Sequence, residues 1–208
     1  GCPFANFTPS IADDAPAIIE LADELGVPIA GKDGKTGQTM MKTVLAPAFR
    51  SRSLTVEGWY STNILGNRDG LALEDPDSLE SKLQTKGSVL DSILGYPVED
   101  HVVRIDYYRP RGDQKEAWDA IDLVGFLGRR MQVKVDFQCR DSILAAPLAI
   151  ELARLTDLAQ QRGEAGVQTQ FGWFFKAPMT PDGSTPEHAL HRQERALLDW
   201  VAGVPAGR

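Results

Sequence analysis

Lysines mark the places in this sequence where chemistry is most readily read. Lys82 and Lys86 are four residues apart, the spacing that puts two side chains on one face of a helix. Two ammonium groups so placed repel unless an anion lies between them. They can grip a phosphate, or lower one another's pKa until one serves as a neutral base; the plainer alternative is a solvated helix face. Lys115 follows the turn sequence Gly112-Asp113. Lys176 is set in Trp173-Phe174-Phe175-Lys176-Ala177-Pro178. Burying an ammonium there is costly unless it is paired, or unless its stem lies along the aromatics with the head in water. A glycine-rich stretch, Gly31-Lys32-Asp33-Gly34-Lys35-Thr36-Gly37-Gln38-Thr39, precedes an apolar-periodic segment. Its Gly34-Lys35-Thr36 is not a nucleoside-triphosphate loop, because that motif needs glycine at position 29, where isoleucine stands. The amides of Thr36, Gly37, Gln38 and Thr39 nonetheless open a helix, and a helix start favours a phosphate or carboxylate. The plainer alternative is a capped helix with Lys32 and Lys35 in solvent.

Other reactive residue types give less. Asp141 opens a second helix, where it is first of all a cap or a partner of the helix dipole. His188 and His191 are three apart on an expected helix, without the third ligand that zinc needs. His101 begins an expected strand and reads as structural. Cys139 stands beside a helix start, but with no histidine nearby it reads as an inert buried thiol. No Gly-x-Ser-x-Gly elbow occurs, so a serine hydrolase has no support.

These residues need elements to position them. The spacing predicts a helix over 13–25, then a buried, parallel-type strand Val27-Pro28-Ile29-Ala30, then the glycine turn and a helix over about 36–49. Strands are expected over 54–60, 101–108 and 131–137, with a weaker one over 121–127. Residues 63–70 read as a turn cluster. Helices are expected over 78–94, 140–161 and 188–201. The flanks are helix-rich with parallel-strand character, whereas residues 40–140 hold several strands for few helices. That shift implies an α/β domain interrupted by an insertion.

Composition narrows the function classes. The chain has 208 residues, with 42% apolar and 25% charged, which excludes disorder, collagen and coiled coil. A net charge of −7 disfavours nonspecific binding of nucleic acid. Two cysteines point to a reducing, cytoplasmic setting rather than a disulfide scaffold. No apolar stretch approaches the length of a membrane span. Gly1-Cys2-Pro3 reads as a loop entered from an earlier segment, and the residues that open the chain do not read as a secretion leader.

Several stretches together resemble the inositol-3-phosphate (myo-inositol-1-phosphate) synthase family, over residues 1 to about 180. They are Ile29 to Thr39, Leu65-Gly66-Asn67-Arg68-Asp69-Gly70-Leu71, Glu80-Ser81-Lys82 with Lys86, and Gly112-Asp113-Gln114-Lys115. Cys139-Arg140-Asp141-Ser142-Ile143-Leu144-Ala145-Ala146-Pro147 and Lys176-Ala177-Pro178 complete the set. Each is weak alone; their order and spacing are specific. The resemblance implies a Rossmann-like dinucleotide-binding domain, 1–38 plus 141–208. A mixed α/β catalytic and oligomerisation domain, 39–140, interrupts it. It implies NAD-dependent isomerisation of glucose 6-phosphate to inositol 3-phosphate in a homotetramer, and leaves room for a monovalent or divalent cation. It assigns Lys82, Lys86, Lys115 and Lys176 to catalysis. Substrate would be bound by Thr36, Gly37, Gln38, Thr39, Asn67 and Asp69, and cofactor by Asp33, Asp141 and Ser142. The family's glycine-rich NAD loop belongs before Gly1. Met40 stands where lysine is common, and Lys32 and Arg140 where acidic residues are common. Three other readings stay open: a related carbocycle-forming cyclase acting on another sugar phosphate, a noncatalytic oligomerisation remnant, and a lysine Schiff-base aldolase without NAD.

Overall fold

A computed structural model describes residues 1–72 and 89–203, with the side chains of Asp69 and Ala72 left aside. The chain is α/β and divides into two compact units, Gly1–Thr36 with Ala145–Arg208, and Gly37–Leu144.

The first unit is built on a three-stranded parallel sheet of Rossmann type. Its strands are β1 (Phe4–Asn6), β2 (Pro28–Gly31) and β7 (Gly166–Val167), with β2 in the centre. All four residues of β2 are buried, which explains its unbroken apolar sequence: a central parallel strand is covered on both faces. Pro28 stands first in the strand, where its missing N–H costs least. Helix α1 (Pro16–Glu24) starts later than the spacing predicts, because Ala12–Asp14 form a separate 3-10 turn and Pro16 suits a first helical position. Ala30, Leu152, Phe171, Phe174 and Phe175 form the main core here. They draw on α5 (Asp141–Gln161), and α6 (Leu190–Val201) packs against the 3-10 turn Thr169–Phe174. Helix α6 begins two residues after His188, so His188 and His191 do not share a helix as expected.

The second unit is a four-stranded mixed sheet in the order β4-β3-β5-β6. Its strands are β3 (Thr55–Leu65), β4 (Asp100–Tyr107), β5 (Lys115–Val124) and β6 (Arg130–Cys139). β3 is parallel to β4 and antiparallel to β5, and β5 is antiparallel to β6. Period-2 alternation, with a register shift between Val56 and Gly58 that puts Val56 and Trp59 on one face, sends Val56, Trp59, Ile121 and Leu123 inward. They meet Ala46 and Phe49 of α2 (Gln38–Ser51) and Val89, Leu90 and Ile93 of α4 (residues 89–94). The opposite face carries Tyr60 and Trp118, whose rings lie 5.5 Å apart.

Three further expectations need correction. Residues 63–65 finish β3 rather than open a turn, and residues 68–72 form the short helix α3 (Arg68–Ala72). The strand expected from 121 begins at Lys115, so Lys115 opens a strand instead of lying in a turn. Helix α2 starts at Gln38 with Gly37 as its N-cap, so Thr36 precedes the helix. The expected helix over 78–94 is helical at 89–94, and its remainder lies outside the described residues.

Candidate active site

In the first unit, the glycine stretch leaves β2 and runs beside residues 174–177. Lys35 N donates to Phe174 O at 2.8 Å, Lys176 N to Asp33 O at 2.7 Å, and Lys32 N to Ala177 O at 2.9 Å. This short ladder sets Asp33 opposite Lys176, whose ammonium donates to the Asp33 carboxylate at 2.8 Å. Lys176 is thus paired, which answers the cost of holding a cation among aromatics. Asp33 has φ of 59°, a left-handed conformation that Asp tolerates better than most residues. Gly34 is required by packing: a Cβ there would lie 2.1 Å from the Phe7 ring.

The expected solvation of Lys32 and Lys35 is not what the structure has. Lys32 pairs with Asp14. Lys35 is only 4% exposed, and its ammonium donates to Gln193 Oε1. Burial lowers its pKa to about 7. His188 is buried nearby. Burial first, and the Lys35 charge second, push its pKa down to about 4, against a small upward pull from Glu187.

In the second unit, two turns pack on one another shortly before Lys115 in the chain. Gly66 N donates to Gly112 O at 3.0 Å, and Tyr108 N to Leu65 O at 2.9 Å. A Cβ on Gly66 would sit 2.4 Å from Tyr108 O and 2.6 Å from Gly112 N. Backbone atoms cannot yield as a flexible side chain can. Gly66→Ala should therefore lower stability by about 1–3 kcal/mol or more, read as a reduced unfolding midpoint; an unchanged midpoint would mean that the turns are loosely packed. Next to this junction lies a hollow of about 490 Å³, lined by Gly66, Asn67, Arg68, Leu71, Tyr107, Gly112 and Asp113. Asn67 Oδ1 accepts from Gly70 N at 3.1 Å and so holds the first turn of α3, which contains Asp69.

Lys115 opens β5 opposite Cys139, the last residue of β6. Two residues on, Asp141 starts α5, and Lys115 Nζ donates to its Oδ2 at 3.1 Å. Ser142 follows in the same first turn. Burial, then the Asp141 charge, push the Cys139 thiol pKa up, with Lys115 pulling it down. A raised thiol pKa fits an inert cysteine. The start of α2 lies close by. A Cβ on Gly37 would be 3.8 Å from Asp141 Oδ1 and 3.5 Å from Phe137. Gly37 makes no side-chain cap, and the first-turn amides of a helix have no intrahelical partner. An ammonium group, a carboxylate and the positive end of a helix therefore meet within this unit, an arrangement that can hold a phosphorylated or oxyanionic group.

The side chains behind that helix start are buried and polar, which sequence reasoning missed. Gln38, expected to face substrate, is 6% exposed and turned toward the sheet, so it offers an outside ligand its backbone only. Its Oε1 accepts from Asn63 Nδ2 at 2.5 Å, and its Nε2 donates to Asp119 Oδ1 at 3.1 Å. Thr39 is also buried. Lys42, one turn on, is 1% exposed and lies 2.7 Å from His101 Nε2 and 5.7 Å from the centre of the Trp59 ring. Burial lowers its pKa to about 8, against an upward pull from Asp119.

Of the expected site residues, Asp33 and Lys176 are paired in the first unit, which also contains Thr36. Lys115, Asp141 and Gly37 come together in the second, which also contains Ser142, Gln38 and Thr39; there Asn67 lines the hollow and Asp69 lies in α3. Lys82 and Lys86 lie outside the described residues. Among the described residues, no group of three or more His, Cys, Asp or Glu could hold a metal ion. No described helix is long and apolar enough to cross a membrane.

Comparison with known proteins finds relatives along nearly the whole chain. The family model described as myo-inositol-1-phosphate synthase matches residues 37–142, nearly the whole second unit. The chain is 50% identical over 209 residues to inositol-3-phosphate synthase 1 of Bacteroides thetaiotaomicron, covering 97% of this chain and 49% of that protein. It is 33% identical to the Saccharomyces cerevisiae inositol-3-phosphate synthase, covering 99% of this chain and 44% of the relative. The chain thus spans about half the length of the curated relatives it matches. Among solved structures, inositol-3-phosphate synthase of Caenorhabditis elegans superposes with a TM-score of 0.89 at 32% identity, covering 98% of this chain and 43% of that one. A myo-inositol-1-phosphate synthase-related protein of Thermotoga maritima gives 0.87 at 28% identity, covering 97% and 53%. On sequence and fold together, the chain belongs to the myo-inositol-1-phosphate synthase family.

Proposed function

We propose that this chain carries the lysine-bearing part of an NAD-dependent cyclase that isomerises glucose 6-phosphate to 1D-myo-inositol 3-phosphate. The observation that carries the reading is the meeting of Lys115, Asp141 and the open amide end of α2. The names of the relatives supply the product, inositol 3-phosphate, and the family resemblance supports glucose 6-phosphate as the substrate.

The residues present suit the reactive end of a dinucleotide. Open α/β sheets take ligands at the carboxyl ends of their parallel strands, and Asp33 follows β2 at that end. NAD, when bound, accepts the hydride from carbon 5 and later returns it, so the net change is isomerisation. Asp33, Asp141 and Ser142 are the residues that would hold it. Each remaining step draws on side chains of this chain. The carbon-5 hydroxyl proton leaves to Lys82 as the carbon-5 hydride departs. Loss of the carbon-6 proton then puts charge on the carbon-5 oxygen, and attack on the carbon-1 aldehyde puts charge on the carbon-1 oxygen. Lys86, Lys115 and Lys176 stabilise those oxyanions. The phosphate is held by the Thr36–Thr39 segment, with Asn67 and Asp69 orienting the sugar. Phosphate binding remote from the reacting carbons lowers the barrier by holding them in place. The family resemblance further supports a homotetramer.

The test is direct. Full-length protein incubated with NAD and glucose 6-phosphate should yield an inositol phosphate, visible by phosphorus NMR. Folded protein that gives no product would overturn this substrate assignment. Turnover of a different sugar phosphate would redirect it.

A further inference from the structure

We propose that Asp119 is a positioning residue that holds the amide end of α2 in its phosphate-binding geometry, acting through the side chain of Gln38. The proposal rests on the reading of that helix start as the phosphate anchor.

Asp119 lies in the middle of β5, 2% exposed, at a position whose inward neighbours on the strand are Ala117, Ile121 and Leu123. An apolar side chain would suit that row, and a carboxylate removed from water is costly unless its oxygens are hydrogen-bonded. Here three donors converge on one oxygen. Trp59 Nε1 reaches Asp119 Oδ1 at 2.8 Å, Gln38 Nε2 at 3.1 Å, and the hydroxyl of Ser61 makes the third bond. Ser61 is the cross-strand neighbour of Asp119, and Asn63 that of Ala117. Polar residues are therefore gathered at the end of the sheet beneath the start of α2, while the apolar core occupies the other end.

The direction of the bonds shows what the cluster can do. Gln38 is the first residue of α2, and both ends of its amide are held: the nitrogen by Asp119, the oxygen by Asn63. Fixing that side chain fixes where the first-turn amides point. Asn63 Oδ1 has no partner among the described residues, but the Gln38 amide itself is bonded at both ends, and a buried polar side chain so held sets one arrangement where apolar packing would tolerate several. Neither Asp119 nor Asn63 needs to touch the ligand.

The experiment uses the full-length protein and two probes, inorganic phosphate binding by calorimetry and steady-state turnover of glucose 6-phosphate. Asp119→Ala should weaken phosphate binding about tenfold and raise KM about tenfold, with kcat changed less than threefold. Asp119→Asn keeps an oxygen for the three donors and should stay within threefold of the unmodified protein in both. Gln38→Met, which cuts the link from the helix side without opening the sheet, should reproduce the alanine effect. The double variant should be no worse than the worse single one, because both break one connection. Unchanged phosphate affinity in Gln38→Met, or fully additive effects, would overturn the positioning role whatever the turnover. If the unmodified protein binds phosphate but makes no inositol phosphate, the cyclase reading falls, and the phosphate affinities of the variants still decide the role of Asp119. If it binds no phosphate, both readings fall.

Discussion

Replacing Lys115 with alanine should reduce kcat for glucose 6-phosphate by 10²–10³-fold or more in the full-length protein, with the unfolding midpoint hardly moved. The size follows from what a fixed cation does at a developing oxyanion. Removing one preorganised donor from such a site costs about 3–4 kcal/mol of transition-state stabilisation. The small effect on folding follows from the surroundings of the side chain. Lys115 and Asp141 are 19% and 41% exposed, and a pair that open to water contributes about 1 kcal/mol or less. For a chain of this size, that moves the midpoint by a few degrees at most. Lys115→Arg is the informative companion. It keeps the charge but replaces a compact ammonium by a planar fork, and should recover only a small part of the rate. Asp141→Asn should also lower kcat, because the neutral amide holds the Lys115 ammonium less firmly. If Lys115→Ala keeps most of its rate, the charge on the reacting oxygens is carried elsewhere. A sugar-phosphate adduct trapped by borohydride on this lysine would instead mark a Schiff-base mechanism.

How much of this was legible in the sequence depends on which residues face inward. The run Val27-Pro28-Ile29-Ala30 announced a buried parallel strand because every side chain in it is apolar or small, and β2 lies there, shifted by one residue. β1 has three residues and β7 two, too few for any period to show. β5 was read only from Ile121. Its inward row runs Ala117, Asp119, Ile121, Leu123, and an aspartate in that row hides the alternation. The same substitution of polar for apolar concealed the ends of α2 and β3, where Gln38, Ser61 and Asn63 are buried. Lysine is ordinarily solvated, so nothing in the spacing singles out Lys35 or Lys42 as buried. The candidate site was legible in a different way. Glycines at 34 and 66, required where Phe7 and the Tyr108 carbonyl come close, are what make the local stretches distinctive. The pairings Lys176–Asp33 and Lys115–Asp141 join residues 143 and 26 positions apart, which no local pattern encodes.

The buried lysines lead to a second large effect, on stability rather than rate. The chain should become more stable as pH rises from 7 toward 9. Lys35 has its pKa lowered to about 7 and Lys42 to about 8, from 10.5 for each when unfolded. Between the folded and unfolded values, the unfolded chain binds more protons than the folded one, so stability rises with pH. Conversely, that stabilisation is lost as pH falls through 8 and then 7, where each ammonium has to be carried inside the fold. Each group adds a slope on the order of 1 kcal/mol per pH unit at its steepest. Cys139 acts in the opposite sense above pH 9, because its raised pKa keeps a proton in the folded state that the unfolded thiol has released. The measurement is therefore best made between pH 7 and 9, by urea unfolding at half-unit steps. Lys35→Met should remove about one proton's worth of the slope across that range, and Lys42→Met should remove slope chiefly above pH 8. Lys35→Met carries a separate signature in the imidazole of His188. The Lys35 charge is the second cause of its low pKa, so the NMR titration of His188 should shift upward from about 4 while burial still holds it below 6.5. A flat stability profile in the unmodified chain would mean that both ammonium groups reach water, and a slope unchanged by either variant would mean that other groups produce it.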